Sequence, residues 1–211
     1  APSTRQAPSS IHNIFPEPIG EYKLNRDLSK SEHDAFKDQA FRENVANHTS
    51  IDMFVLKKKN LGNVREFLEV CLNDYASKVY DFKNGSANLY ITSSWVNMTK
   101  PGECHHKHSH PNSIVSGTFY ISGNDTDSIE FHHPKKSIDG SAWFFPANEF
   151  NEYTSGGWHM PTLAGTLYLW NSNLSHSVPE VIGGDPRYSL AFNTFVRGQI
   201  GLENEATGLL I

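Results

Sequence analysis

Between Leu61 and Phe82 the sequence LGNVREFLEVCLNDYASKVYDF places Val64, Phe67, Leu68, Cys71, Leu72, Tyr75 and Val79 at steps of three and four. That period is helical and predicts an amphipathic helix with one buried stripe. Asn84-Gly85 follows as the turn signal that ends it. A weaker helical pattern covers residues 29–48, SKSEHDAFKDQAFRENVANH. Ser29 or Ser31 is the expected N-cap, and Glu32 and Asp34 suit the positive end of the helix dipole. Ala35, Phe36, Ala40 and Phe41 supply its apolar face.

From about residue 87 the period shortens. NLYITSSWVNM, SIVSGTFYIS, SIEFHH, SAWFF, GTLYLWN and RYSLAFNTFV are short aromatic and β-branched runs, separated by clusters of Gly, Pro, Asn and Asp. Strands at such regular spacing predict a sandwich or barrel, and the absence of an internal repeat argues against a solenoid. The expected architecture is mainly β: a double-sheet jelly roll buttressed by two N-terminal helices. Residues 1–10, polar and rich in Pro and Ser, read as a flexible tail. Residues 11–211 read as one domain, with helices mainly in 29–82 and the β core at about 87–198.

Composition narrows the function classes. At 211 residues the chain can bury a substantial core. Its 18 basic and 23 acidic side chains leave a formal charge of −5, which disfavours an electrostatic nucleic-acid surface. Lys57, Lys58 and Lys59 are the densest basic cluster and read as a solvated turn. Two cysteines, Cys71 in a helical pattern and Cys104 beside a histidine cluster, do not make a disulfide framework. No apolar run approaches the roughly 18–20 residues of a membrane span, and APSTRQAPSS lacks the charged-then-apolar signature of a signal peptide. The expectation is a cytoplasmic protein with no membrane partner.

The chemistry concentrates in HHKHSHPNS, residues 105–113, which holds four of the eleven histidines. On an extended strand, residues two apart share a face, so His108 and His110 are placed to close on one metal ion. A third ligand must come from elsewhere. His132 and His133 are adjacent, so at most one points inward, and His159 lies in SGGWHMP, a stretch without a strand pattern. His176 follows a buried strand through a turn in LYLWNSNLSHSVPEV, where a lone histidine is more often structural than ligating. In RYSLAFNTF, Arg187, Ser189, Ala191 and Asn193 share one strand face. That face is polar, and the fork of Arg187 suits a carboxylate. Taken alone, the same arginine is better explained by facing solvent and pairing with an acid such as Glu180.

Together, H-x-H-P-N-S-x-x-S-G-x-x-Y, a distal histidine in a turn and R-x-S-x-A-F-N resemble the 2-oxoglutarate- and iron(II)-dependent oxygenases. The likeness is to small stand-alone members from phages and marine bacteria. It runs from about Ile11, where IFPEPIG looks like the family's opening, to the GQIG near the end. The resemblance implies a double-stranded β-helix, with His108, His110 and His176 holding Fe(II) and Arg187 binding the distal carboxylate of 2-oxoglutarate. It places Tyr120 beside that cosubstrate, with Ser189 and Asn97 as weaker candidates. It implies a dioxygenase that hydroxylates a C–H bond with dioxygen, releasing succinate and carbon dioxide, with no catalytic residue beyond the metal ligands. His105 and His106 are expected at the entrance or in solvent, and Trp95, Phe119 and Trp170 are candidates for excluding water.

The sequence departs from the wider superfamily at one ligand: His110 stands where the H-x-D motif has a carboxylate. Three imidazoles also hold iron in cupin-like metalloenzymes that use no 2-oxoglutarate, and a jelly roll also serves non-catalytic binding proteins. The primary substrate, a small molecule or a protein side chain, is not legible. If the gene is a phage's, the cytoplasm is the host's.

Overall fold

The computed structural model describes residues 10–82, 85–134, 148–202 and 204–211. Helix α1 (Lys30–Lys37) starts as its sequence dictates. The Ser29 side chain accepts from the Glu32 backbone N–H, the Glu32 carboxylate accepts from the Ser29 N–H, and the capping box is complete. The helix predicted to run to residue 48 ends at Lys37, however. Strands β2 (Phe41–Asn44) and β3 (Asn47–Ser50) follow as an antiparallel hairpin, with Ala46 turned at φ 61°. Asn44, Asn47 and Thr49 are poor helix formers, and β3 gains a long-range partner that a helix could not have. It pairs with β4 (Ala87–Thr99) through His48–Met98 and Thr49–Asn97.

Helix α2 (Gly62–Val79) matches its periodicity: Val64, Leu68, Cys71, Leu72 and Tyr75 are buried. Val79 instead sits 37% exposed in the last turn, and Ala76 takes its place against the core. The stripe packs on one face of a large antiparallel sheet, in the order β1 (Ile19–Lys23), β9 (Thr166–Asn171), β6 (Val115–Tyr120), β11 (Arg187–Ile200), β4, β3, β2, with β12 (Leu209–Leu210) on the end of β11. Leu190, Phe192, Phe119 and Leu169 point toward the helices and are fully buried with Leu68 and Val64. Each such side chain contributes about 1.5–3 kcal/mol relative to exposure. Gly117 lies opposite Phe192, and a Cβ there would meet the phenyl ring at 2.3 Å, so only glycine lets that ring cross the sheet.

Because side chains alternate, the other face of the same strands looks away from the helices. A second antiparallel sheet covers it, in the order β5 (His105–His108), β10 (His176–Val178), β7 (Ser128–His132), β8 (Gly157–Pro161). Tyr120, Ile129, Phe131, Tyr168, Trp170 and Leu174 fill the space between. The fold is the expected jelly roll, mainly β. Strand β8 is a correction, since SGGWHMP reads as a loop. It pairs along its length with β7, bringing Trp158 opposite Phe131 and Met160 opposite Ile129, while Gly157 admits the Glu130 carboxylate beside it. The predicted tail, SAWFF and Asn84 lie wholly or largely outside the described residues. Among the described residues, no helix is long and apolar enough to cross a membrane.

Candidate functional site

Five imidazoles meet at one end of the inter-sheet space. His108 ends β5, His176 opens β10, and the two residues are cross-strand partners. Their rings lie 4.3 Å apart. His110 comes from the turn after β5, where its backbone N–H donates to Ser172 O at 2.9 Å. His108 and His110 therefore converge, though not as two residues of one strand. The ligand atoms of His108, His110 and His176 all lie within 4.8 Å of one another, and the last two residues are buried.

The remaining nitrogens decide where the lone pairs point. His108 Nδ1 lies 2.8 Å from His106 O and His176 Nδ1 3.3 Å from Leu174 O. A carbonyl only accepts, so both Nδ1 atoms carry the proton and both Nε2 atoms present lone pairs. The Asn193 side chain acts on His110 by favouring its charged form against burial, and Asn193 Oδ1 accepts from the Ser116 hydroxyl at 3.0 Å. His110 Nε2 and His176 Nε2 then face each other at 3.3 Å. At metal–nitrogen distances of about 2.1 Å, adjacent ligand atoms lie roughly 3–3.4 Å apart. The three histidines thus have the donor chemistry and spacing that could hold a divalent metal, and the hydrogen bonds behind His108 and His176 fix the tautomers such a site requires. Burial, then the neighbouring imidazoles, pushes His176 down to about 2 and His110 to about 4, and burial lowers His108 as well. Neutral imidazole, the ligating form, is the form this environment favours.

Strand β11 builds the other wall. Ser189 sits between Asn97 of β4 and Tyr120 of β6, and Ala191 between Trp95 and Thr118, so these side chains share the inner face with Arg187. Arg187 is 4% exposed, yet its Nε and Nη1 meet no hydrogen-bond partner among the described residues, and Glu180 is exposed and unpaired with it. The pairing that would have made this arginine structural is absent from the described residues. Burial pulls the guanidinium below its ordinary value, partly opposed by Tyr120 and Asp127. The Asp127 carboxylate is engaged by Asn124 Nδ2 and the Ile182 N–H, each at 3.0 Å. Asn97 Oδ1 is likewise buried without a partner. Burial pushes the Tyr120 phenol up to about 12, so it remains a hydrogen-bond donor. A buried guanidinium without a counter-charge is costly, and the arrangement calls for an anion.

One cavity joins the two walls, lined by the three histidines, Arg187, Ser189, Tyr120 and Asn97 among others. Trp95 stacks on His110 at 5.9 Å and Trp170 packs edge-on against His176 at 4.8 Å. Phe119 does not take part, because it faces the helices and packs on Phe67. His105 also lines the cavity, its ring stacked 4.4 Å from His108, while His106 is exposed. The position of His105 follows from an irregularity: three residue steps of β5 face two of β10 between the His108–His176 and His105–Val178 pairs. That bulge returns residues three apart to one side, and nothing in the sequence announces it. His132 and His159 lie apart, on Ser177 at 2.9 Å and Ser128 at 3.0 Å. Cys104 joins neither histidine group. A larger cleft of about 540 Å³ opens beside Phe131 and Leu174, lined also by Phe15, Trp158, Met160, Glu17 and Glu152.

Residues 93–193 match a family model described as "Putative 2OG-Fe(II) oxygenase". No curated protein matches the sequence. Solved structures of similar fold include a 2OG-Fe(II) oxygenase family oxidoreductase from Burkholderia pseudomallei, 11% identical, with a TM-score of 0.55 over 83% of this chain and 84% of that one. HygX from Streptomyces hygroscopicus, solved with nickel, 2-oxoglutarate and hygromycin B, is 12% identical, with a TM-score of 0.54 over 84% and 82%. A Trichoplax adhaerens prolyl hydroxylase, in complex with a hypoxia inducible factor peptide fragment, is 14% identical, with a TM-score of 0.52 over 83% of each chain. The matched family uses Fe(II), 2-oxoglutarate and dioxygen.

Proposed function

From the premise that residues 93–193 form a domain of the 2OG-Fe(II) oxygenase family, we propose that this chain is a dioxygenase that hydroxylates a C–H bond of its substrate. The observation that carries the reading is the buried guanidinium of Arg187, whose Nε and Nη1 meet no hydrogen-bond partner among the described residues, in the same cavity as three converging imidazoles. In this reading His108, His110 and His176 hold Fe(II), and Arg187, supported by Ser189, Tyr120 and Asn97, takes the distal carboxylate of 2-oxoglutarate. The chemistry that metal, cosubstrate and dioxygen supply is oxidative decarboxylation to succinate and carbon dioxide, with the second oxygen atom delivered to the substrate as a hydroxyl.

The protein's part is positioning. Arg187 offers two parallel N–H donors to a planar anion, which fixes its orientation as well as its affinity. The Tyr120 hydroxyl stays protonated and donates. Trp95 and Trp170 keep water from the imidazole end, which strengthens every charge interaction inside. His110 brings no negative charge to the metal, so charge balance at the centre falls on the dianionic cosubstrate. The space between the walls is about 40 Å³, room for an ion and about one water.

The substrate is a small molecule or a protein side chain. Fold relatives that hold hygromycin B in one case and a peptide fragment in another support both kinds. The test is to supply iron(II), 2-oxoglutarate and dioxygen and to quantify succinate. Succinate formed only when 2-oxoglutarate and iron are both present supports the reading. Dioxygen consumption without 2-oxoglutarate, or no succinate at all, contradicts it.

A further inference from the structure

His105, His106 and His108 form a second group whose ligand atoms all lie within 4.8 Å of one another. It shares His108 with the buried group, and exposure falls in order along the five residues. His106 is exposed, His105 and His108 are half-buried, and His110 and His176 are buried. Because His108 Nδ1 is tied to His106 O at 2.8 Å, only Nε2 can ligate, and one lone pair serves one metal. The two groups are therefore mutually exclusive around a common ligand.

We propose that the outer group is a docking station through which a divalent first-row metal reaches the inner one. The metal first binds His106 and His105 at the surface together with His108. It then moves inward by ligand exchange: the bond to His108 Nε2 persists, those to His105 and His106 break, and those to His110 and His176 form. The exchange is metal for metal-site, with no change of oxidation state. The bulge in β5 places the rings for it, setting His105 and His106 at 4.4 and 5.2 Å from His108, while His110 and His176 lie at 5.1 and 4.3 Å from it. Trp95, Trp170 and Phe131 stand against His110 and His176.

The inference rests on the inner group being the metal site, and kinetics separates the two ideas. A station on the path accelerates uptake and release equally and leaves the equilibrium alone. Metal-free full-length protein is mixed with cobalt(II), uptake is followed by the ligand-field absorption, and release by chelator competition. His106→Ala and His106→Gln should slow both rates about tenfold, since they remove the step that makes delivery intramolecular. Stoichiometry, final spectrum and affinity should stay as in the wild type, and His159→Ala should change nothing. Unchanged rates in both His106 variants overturn the proposal, as does simultaneous tight binding of two cobalt ions. A wild type that takes up no cobalt overturns the inner site as well.

Discussion

The two sheets divide the work differently. The large sheet is built on long strands, β4 and β11, paired over twelve positions with one register shift, and it buries one whole face against the helices. It carries Arg187, Ser189, Asn97 and Tyr120. The small sheet has strands of three to five residues and an irregular pairing between β5 and β10. It and the turn after β5 carry the histidines. Long, nearly regular pairing thus sits with the proposed cosubstrate wall and short, irregular pairing with the proposed metal wall, and the two can be broken separately.

The largest effect is expected in the large sheet. Leu190→Ala removes a fully buried side chain on the helix-facing side of β11, next to Ser189 in sequence but on the opposite face of the strand. It should cost about 2–5 kcal/mol in chemical denaturation. A cost below about 1 kcal/mol would mean that the large sheet is not the stabilising platform described. In the small sheet, His176→Ala should lower metal affinity by at least about a hundredfold, because it removes one of three ligands. The metal-free variant should keep the wild-type midpoint within a few degrees. Loss of folding instead would make His176 structural, and intact metal binding would move the site.

Asn193→Ala links the two walls, since Asn193 stands on the large sheet but its side chain favours the charged form of His110 on the other wall. Metal affinity measured by competition should fall about tenfold. No change would show that the His110 tautomer is set without it. The smallest effect belongs to a region remote from both walls. Glu32, buried at the start of α1, receives Arg26 Nη1 and Nη2 at 2.8 and 2.7 Å. Arg26 first, with the Ser29 contacts helping against burial, holds its carboxyl at about 2 instead of the ordinary 4.5. A depressed folded pKa means that the contribution is full above the unfolded value and lost as pH falls from near 4.5 toward 2. Glu32→Gln should cost on the order of 1 kcal/mol at neutral pH, and the difference from wild type should close in acid. A difference that persists unchanged at pH 2.5 would assign the loss to packing.

Where local pattern and tertiary demand coincide, the sequence was readable. The α2 stripe, the long strands and the polar inner face of β11 all follow from period alone. The proposed triad and clamp were legible only as ordered motifs, because His176 and Arg187 taken singly read as ordinary core and surface residues. Three features were hidden because non-local partners create them. The β2–β3 hairpin forms where a helix was expected, since β3 pairs with β4. Strand β8 forms from a Gly-rich stretch that looks like a loop, since it docks on β7. His105 reaches the cavity through a bulge that depends on β10. Phe119, a candidate for excluding water, lies on the other face as core packing, because Tyr120 next to it takes the inner one.

The central claim is that the imidazoles and the guanidinium serve one centre, each with its own ligand. Anaerobic titration of the iron(II) protein with 2-oxoglutarate, followed by the visible charge-transfer band of the chelate, tests it in wild type and in Arg187→Met. The wild type should develop the band, and the variant should need about ten- to hundredfold more 2-oxoglutarate while iron content stays at the wild-type level. A wild type without a band, or a variant titrating at the wild-type concentration, would contradict the account.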